Sequence, residues 1–330
     1  MSLKREDGPI SRREFLVRTA KAGAVIGASG AVGYWLADPL GPAPAVADEQ
    51  VALPDFSIPS LSGAMSIVKG PDRLKTVGRA LRALGGIERF VKGGDRVVLK
   101  VNAAFATPPV LSATTNPQLV GEVVRVCLAA GAASVTVTDN PINDPRSCFA
   151  LTGIGRAAKS AGAKVVLPKA ALFGPTSLSG GRLIRNWPVL YGPLARADKL
   201  IGIAPVKDHN RSGASMAMKN WYGLLGGRRS IFHQDIHNII KELAMLVRPT
   251  LVILDGTVTM MTNGPTGGSL DDLKQTNTMI VSTDQVAADA AGAELLGKTA
   301  GSLPFITKAA QAGAGVADYE SLRPLRADTG

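Results

Sequence analysis

The chain has 330 residues, 45% hydrophobic and 19% charged, with a formal net charge of +11. That composition excludes a disordered or low-complexity chain and leaves enough apolar residues to bury a core and still form a cleft. With only two cysteines, the chain cannot supply a four-thiolate iron–sulfur cluster, and it has no C-x-x-C-H haem site.

Residues 1–47 read as an export leader. SRREFL, Ser11 to Leu16, pairs Arg12 with Arg13; the apolar run AGAVIGASGAVGYWLA follows, and Ala45-Val46-Ala47 offers the small residues of a cleavage site after Ala47. A twin-arginine signal implies that pathway's translocase as a partner, folding before export, and a periplasmic or otherwise extracytoplasmic destination. The alternative is a retained anchor. The run is short and Gly-diluted for a spanning helix, and no later segment approaches that length, so no stable transmembrane segment is expected after cleavage. In an exported protein the basic balance points to a small anionic molecule, an acidic envelope surface or a plain solvated basic surface, and not to nucleic acid.

After an extended, Pro-bearing lead-in (48–64), MSIVKG (65–70) is strand-like. PDRLKTVGRALRALGG (71–86) places Leu74, Val77, Leu81 and Leu84 on one helical face. DRVVLKVN contains a continuous apolar run suited to a buried strand. Asn116-Pro117 caps NPQLVGEVVRVCLAAGA, in which Cys127 is expected as a buried free thiol, pairing with Cys148 outside the cytoplasm being the alternative. SVTVTDN, KVVLP, KLIGIAP (199–205), TLVILDG (250–256) and TMIVSTD (278–284) are further strands. GIGRAAKSAGA, SIFHQDIHNIIKELAMLV (230–247, capped by Ser230) and QVAADAAGAELLG (285–297) are helices. The alternation predicts an α/β fold, a mostly parallel sheet covered by helices on both faces. The Gly- and Pro-rich stretch from Leu172 to Ala195 is a candidate join between two lobes with a cleft between them.

Ligands of open parallel sheets bind beyond the carboxyl ends of the strands. The expected strand ends deliver Lys100 and Asn102, Asp139 and Asn140, Lys207-Asp208-His209, Asp255, and Asp284 to one edge. Turn preference alone explains Asp and Asn well, but Lys100, Lys207 and His209 less well. All three histidines, His209, His233 and His237, fall in one short window with Lys219-Asn220 between them. His233 and His237 are four apart in the expected helix, a spacing that can chelate a metal, with His209 as a third nitrogen. Gln234 rules out H-E-x-x-H, so a zinc-protease base is missing. Lys219, beside Met and Trp residues, is either a desolvated, nucleophilic amine or a solvated helix cap. NGPTGG (263–268) is a turn whose amides could cradle an anion, or a plain turn.

VKGGDRVVLKVN, TTNPQLVGEVVRVCLAAGAASVTVTDNP, VKDH, MKNWYGLLGG, His233, ILDG, NGPTGG and VSTDQVAADA together resemble the domain of unknown function 362 family over residues 65–300, leaving 301–330 as a C-terminal segment. Some members carry ferredoxin-like cysteine motifs; this chain does not. The order His209, Lys219, His233 is also similar to a segment of the nickel-pincer lactate racemases. That likeness implies that Lys219 holds a cofactor, His233 binds the metal and His209 moves a proton. The racemases' upstream acid/base histidine has no counterpart, since no histidine precedes His209, so two-sided racemisation is not expected here.

The leading expectation is an exported enzyme that uses a transition metal (iron, nickel or zinc, which imidazole does not distinguish) held by His209, His233 and His237. Its small anionic substrate would be bound by Lys100, Asn102, Lys207, Asn220 and Asp255, with His209 and Lys219 catalytic. The alternative is a non-catalytic carrier of a metal, cofactor or envelope component; an electron-transfer protein is the third reading.

Overall fold

The computed structural model describes residues 49–329 and, before them, Arg13, Val17, Thr19 and Lys21; Arg12 and Ala47 of the expected export signal lie outside the described residues. An eight-stranded sheet carries the fold, in the order β10-β1-β9-β8-β7-β2-β3-β4. Its strands are β1 (Met65–Lys69), β2 (Arg96–Lys100), β3 (Ser134–Thr138), β4 (Lys164–Val166), β7 (Lys199–Lys207), β8 (Leu251–Met260), β9 (Leu273–Ser282) and β10 (Leu325–Asp328). Within this sheet β9 runs antiparallel to both neighbours, and the other pairings are parallel. From β2 the chain steps outward to β3 and β4, then returns to lay β7 on the other side of β2, and continues outward to β8. The order therefore reverses between β2 and β7, which is where an open α/β sheet opens a crevice at its strand ends.

Strand alternation sends side chains to two cores. Leu200, Ala204 and Val206 of β7 join one core and Ile201 and Ile203 the other; Val252 and Leu254 of β8 part from Leu251 and Ile253 in the same way. Helices α1 (Arg73–Ala83), α2 (Pro117–Ala129), α3 (Pro145–Leu151) and α4 (Ile154–Ser160) lie between the strands that they connect, and α1, α2 and α4 cover the second face. Helices α5 (Ala217–Asn220), α6 (Ile236–Leu246), α7 (Gln285–Leu295) and α8 (Pro304–Gln311) cover the first. Local signals start several of them. Asp72 caps α1 at the amides of Leu74 and Lys75, Asn116 caps α2 at Gln118, and Asp284 caps α7 at Val286 and Ala287. Cys127 and Cys148 are buried free thiols.

The α/β class, the parallel centre and the helices on both faces agree with the sequence reading. Three local expectations do not hold. Residues 172–195 do not join two lobes: they hold the antiparallel ribbon of β5 (Phe173–Thr176) and β6 (Trp187–Leu190), inside the one compact unit that begins at Glu49. The carboxylate of Glu242 on α6 ties down this region by accepting hydrogen bonds from the amides of Arg182, Leu183 and Ile184. The helix expected from Ser230 starts only at Ile236, after a 3-10 turn, Arg229–Asp235. β8 runs on to Met260, so Asp255 sits mid-strand and not at a strand end. The C-terminal segment is part of the fold, supplying α8 and the edge strand β10. No helix among the described residues is long and apolar enough to cross a membrane.

Candidate active site

At the β2–β7 reversal the strand ends enclose a cleft of ≈130 Å³ lined by Lys100, Asn102, Asp139, Lys207, His209, Lys219, Asn220, Tyr222, Arg229 and His233, among others. It is small beside the roughly 300–1,000 Å³ of pockets for drug-sized ligands. A larger cleft of ≈630 Å³ lies where Asp55, Arg248 and Asp284 meet, but there Asp55 pairs with Arg248 and Asp284 caps α7. The free chemical groups are at the strand ends.

Two lysines project from the ends of β2 and β7, and both are 1% exposed. Lys100 Nζ lies 2.7 Å from Asp139 Oδ1 and donates to Val101 O and Asn220 Oδ1. Asn220 in turn donates to the carbonyls of Lys100 and Ile203, which pins α5 across β2 and β7. Gly223 is required beside this pair, because a Cβ there would collide with Asp139 Oδ1 and Lys100 Nζ. Lys207 Nζ has no carboxylate partner among the described residues; it donates to Ala113 O and Pro265 O, tying two loops to the cleft. Burial, and Lys219 nearby, lower its pKa to about 7.

Lys219 is partly exposed to the cleft, and its Nζ has no hydrogen-bond or ion-pair partner among the described residues; the Tyr222 ring centroid lies 5.2 Å away. Burial, with Arg229 and Lys100 close by, lowers its pKa to about 7. The two residues before it are fixed, since the amides of Ala217 and Met218 donate to the fully buried Asp289. The guanidinium of Arg229 is spent on backbone, donating to the carbonyls of Tyr222, Leu225, Asn140 and Pro141. That clamp accompanies the 3-10 turn in place of the expected α-helix.

Two of the histidines reach the cleft, His209 and His233, with near-parallel rings 6.2 Å apart. Their hydrogen bonds set opposite tautomers. His209 Nδ1 accepts from the amides of Arg211 and Ser212, so in the neutral ring the proton sits on Nε2, a donor. His233 Nδ1 is 3.1 Å from Tyr222 Oη and 3.2 Å from Ser230 O. The Tyr222 hydroxyl proton goes to Arg229 O, so His233 Nδ1 carries the ring proton and Nε2 keeps a lone pair. Burial, then the positive charge of Lys219, hold both rings neutral, with His209 pushed down to about 2 and His233 lowered.

The cleft brings together Lys100, Asn102, Lys207, His209, Lys219, Asn220 and His233 of the residues singled out from sequence. It leaves out His237, which stacks on Phe305 with centroids 6.3 Å apart. The 3-10 turn before α6 breaks the α-helical spacing that would have put His237 beside His233. Asp255 is also outside, ion-paired with Arg73 at 2.5 Å. NGPTGG folds as a turn tied by Thr262 and Asn263 to Asp272, with Pro265 at the cleft wall. Sequence reasoning missed Tyr222 and Arg229 as site residues, although both lie inside the histidine window. Among the described residues no three His, Cys, Asp or Glu side chains come together to hold a metal. A metal bound by the chain's own side chains does not fit this donor set, with one imidazole turned donor-outward and four cations in the wall.

Residues 97–294 match the family model described as Domain of unknown function (DUF362). A thylakoid-associated protein of Synechocystis sp. is 27% identical over 244 residues, covering 70% of this chain and 71% of that protein. Among solved structures, the lactate racemase apoprotein from Thermoanaerobacterium thermosaccharolyticum aligns with a TM-score of 0.38 and 15% identity over 74% of this chain. A Thermotoga maritima protein aligns with a TM-score of 0.35 and 12% identity over 58% of it. The chain spans 58% and 52% of the lengths of those two proteins.

The tautomers are directly measurable. Long-range proton–nitrogen correlation spectra at neutral pH should show His209 as the Nε2–H form, still neutral at pH values where an exposed histidine is charged, at ~6.5 and below. They should show His233 as Nδ1–H. Equal tautomer populations, or a His209 that titrates normally, would contradict the assignment.

Proposed function

This chain belongs to the DUF362 family, and we propose that its switch-point cleft binds a small organic anion and moves a proton on it. One observation carries the reading. The wall holds four cationic side chains, Lys100, Lys207, Lys219 and Arg229, against a single carboxylate, Asp139, which is committed to Lys100. Buried cations without counter-charge are costly, and an anionic ligand offsets that cost. The anion's charge settles against Lys219, with Lys207 and the backbone-bound Arg229 adding positive potential from the cleft wall. His233 Nε2 then accepts a proton from the ligand while His209 Nε2–H donates a hydrogen bond to the atom that gains negative charge. A carrier needs no such pair, so the two oppositely set imidazoles favour an enzyme. No step in this reading uses a metal.

The leader completes the proposal: SRREFL and the small residues at Ala45-Val46-Ala47 support export of the folded protein to an extracytoplasmic compartment. Replacing Arg12 and Arg13 by Lys should leave the protein uncleaved in the cytoplasm of its host; export at the normal level would exclude this route.

The anion reading has a defined pH signature. Lys207 and Lys219 titrate near 7 when folded and at ~10.4 when unfolded, so the unfolded chain holds more protons across that window. Stability without ligand therefore rises as pH increases from 7 towards 10. A bound anion favours the ammonium forms and raises their pKa, so the ligand stabilises most at pH 6. Calorimetric titration with acetate should give an affinity that falls about tenfold or more between pH 6 and pH 9, and that is similarly reduced by Lys219→Met at pH 6. An affinity indifferent to pH and to that substitution would overturn the reading.

A further inference from the structure

The amines of this cleft are not equivalent. Lys100 is neutralised by Asp139 and Lys207 is tethered to two carbonyls, whereas Lys219 Nζ, over the Tyr222 ring, has no hydrogen-bond or ion-pair partner among the described residues. Its backbone is held on both sides, by Asp289 at Ala217 and Met218 and by Asn220 anchored in the sheet, so the side chain emerges from a fixed base. Charged and titratable groups line the cleft with it: Lys100 and Asp139 from the ends of β2 and β3, Lys207 and His209 from β7 and its following loop, Tyr222 from the turn after α5, and Arg229 and His233 from the 3-10 turn. A free amine crowded by cations and fixed at its root has the makings of a nucleophile. Resting on the anion-binding reading above, we propose that Lys219 Nζ forms an imine with a small anionic aldehyde or ketone held in this cleft.

The step balances without any oxidant or reductant. The Nζ lone pair attacks the carbonyl carbon and a C–N bond forms. The carbonyl π pair moves onto oxygen, which receives a hydrogen bond from His209 Nε2–H and takes up a proton from solvent. His233 Nε2 removes a proton from nitrogen and returns one to the carbinolamine hydroxyl. That hydroxyl leaves as water, giving the C=N bond. The substrate's carboxylate stays on the Lys207 side of the cleft, in the positive field of Lys207 and Arg229, so a neutral aldehyde of the same size lacks the anchoring charge.

The experiment treats the full-length protein with glyoxylate and sodium cyanoborohydride at pH 7, followed by peptide mapping. The expected result is a carboxymethyl group on Lys219, formed at least about tenfold faster than on any exposed lysine. An amine with a pKa of about 7 is about half neutral at that pH, whereas an exposed lysine at ~10.4 is neutral in roughly one part in 2,500. Acetate, which carries the charge without an electrophilic carbonyl, should protect Lys219 in the unmodified protein, a control that does not depend on any variant folding. Lys219→Arg should abolish the adduct at that position. If glyoxylate binds by calorimetry but Lys219 is labelled no faster than surface lysines, the imine proposal fails and the anion reading stands. If glyoxylate neither binds nor labels, both fail.

Discussion

The ion pair between Lys100 and Asp139 is the contact on which the centre of this molecule turns. It joins the ends of two neighbouring strands where strand order reverses, and each side chain is almost wholly buried, at 1% and 2% exposure. Removing either partner would leave a buried charge alone, a loss of about 3–5 kcal/mol in comparable cases. The pair is knitted further by Asn220, which binds Lys100 through both ends of its amide, and by Asp139 accepting from the amide of Ala103. The carboxylate lining the cleft is thereby used up, and among the described residues Lys207, Lys219 and Arg229 have no acid of their own there. Structure and proposed chemistry come from one imbalance.

The same imbalance governs the histidines. Burial, and then close positive charge, favour the neutral form of both imidazoles, so each acts as its fixed tautomer allows. Two backbone amides decide His209, and a carbonyl together with an engaged tyrosine hydroxyl decides His233. Donor and acceptor therefore sit on neighbouring rings, each favoured in its neutral form. Loops drawn in by Lys207 narrow the space above them, and Lys298, paired with Asp208 at 2.9 Å, steadies the loop that carries His209.

Much of this was legible in the chain because it rests on local rules. Apolar runs marked the buried strands, Asn116 marked a helix start, and the strand-end rule named Lys100, Asn102, Lys207 and His209, which line one cleft. What was not legible depends on contacts distant in sequence. Periodicity does not encode strand direction, so β9 gave no sign of running antiparallel. The register of 229–235 is set by Arg229 binding carbonyls at Asn140 and Pro141, some ninety residues upstream, and this displaces His237 from His233. Asp255 lies mid-strand, not at the expected strand end, because β8 continues past a Gly256–Val258 irregularity to Met260.

The most direct test of the central claim is a site-resolved NMR titration of the Lys219 and Lys207 side-chain nitrogens, with and without a small carboxylate. The account predicts midpoints near 7 in the free protein, moving upward when the anion is added. Midpoints near ~10.4 in both states, as for solvated lysines, would mean that the cleft carries no uncompensated charge and would contradict it.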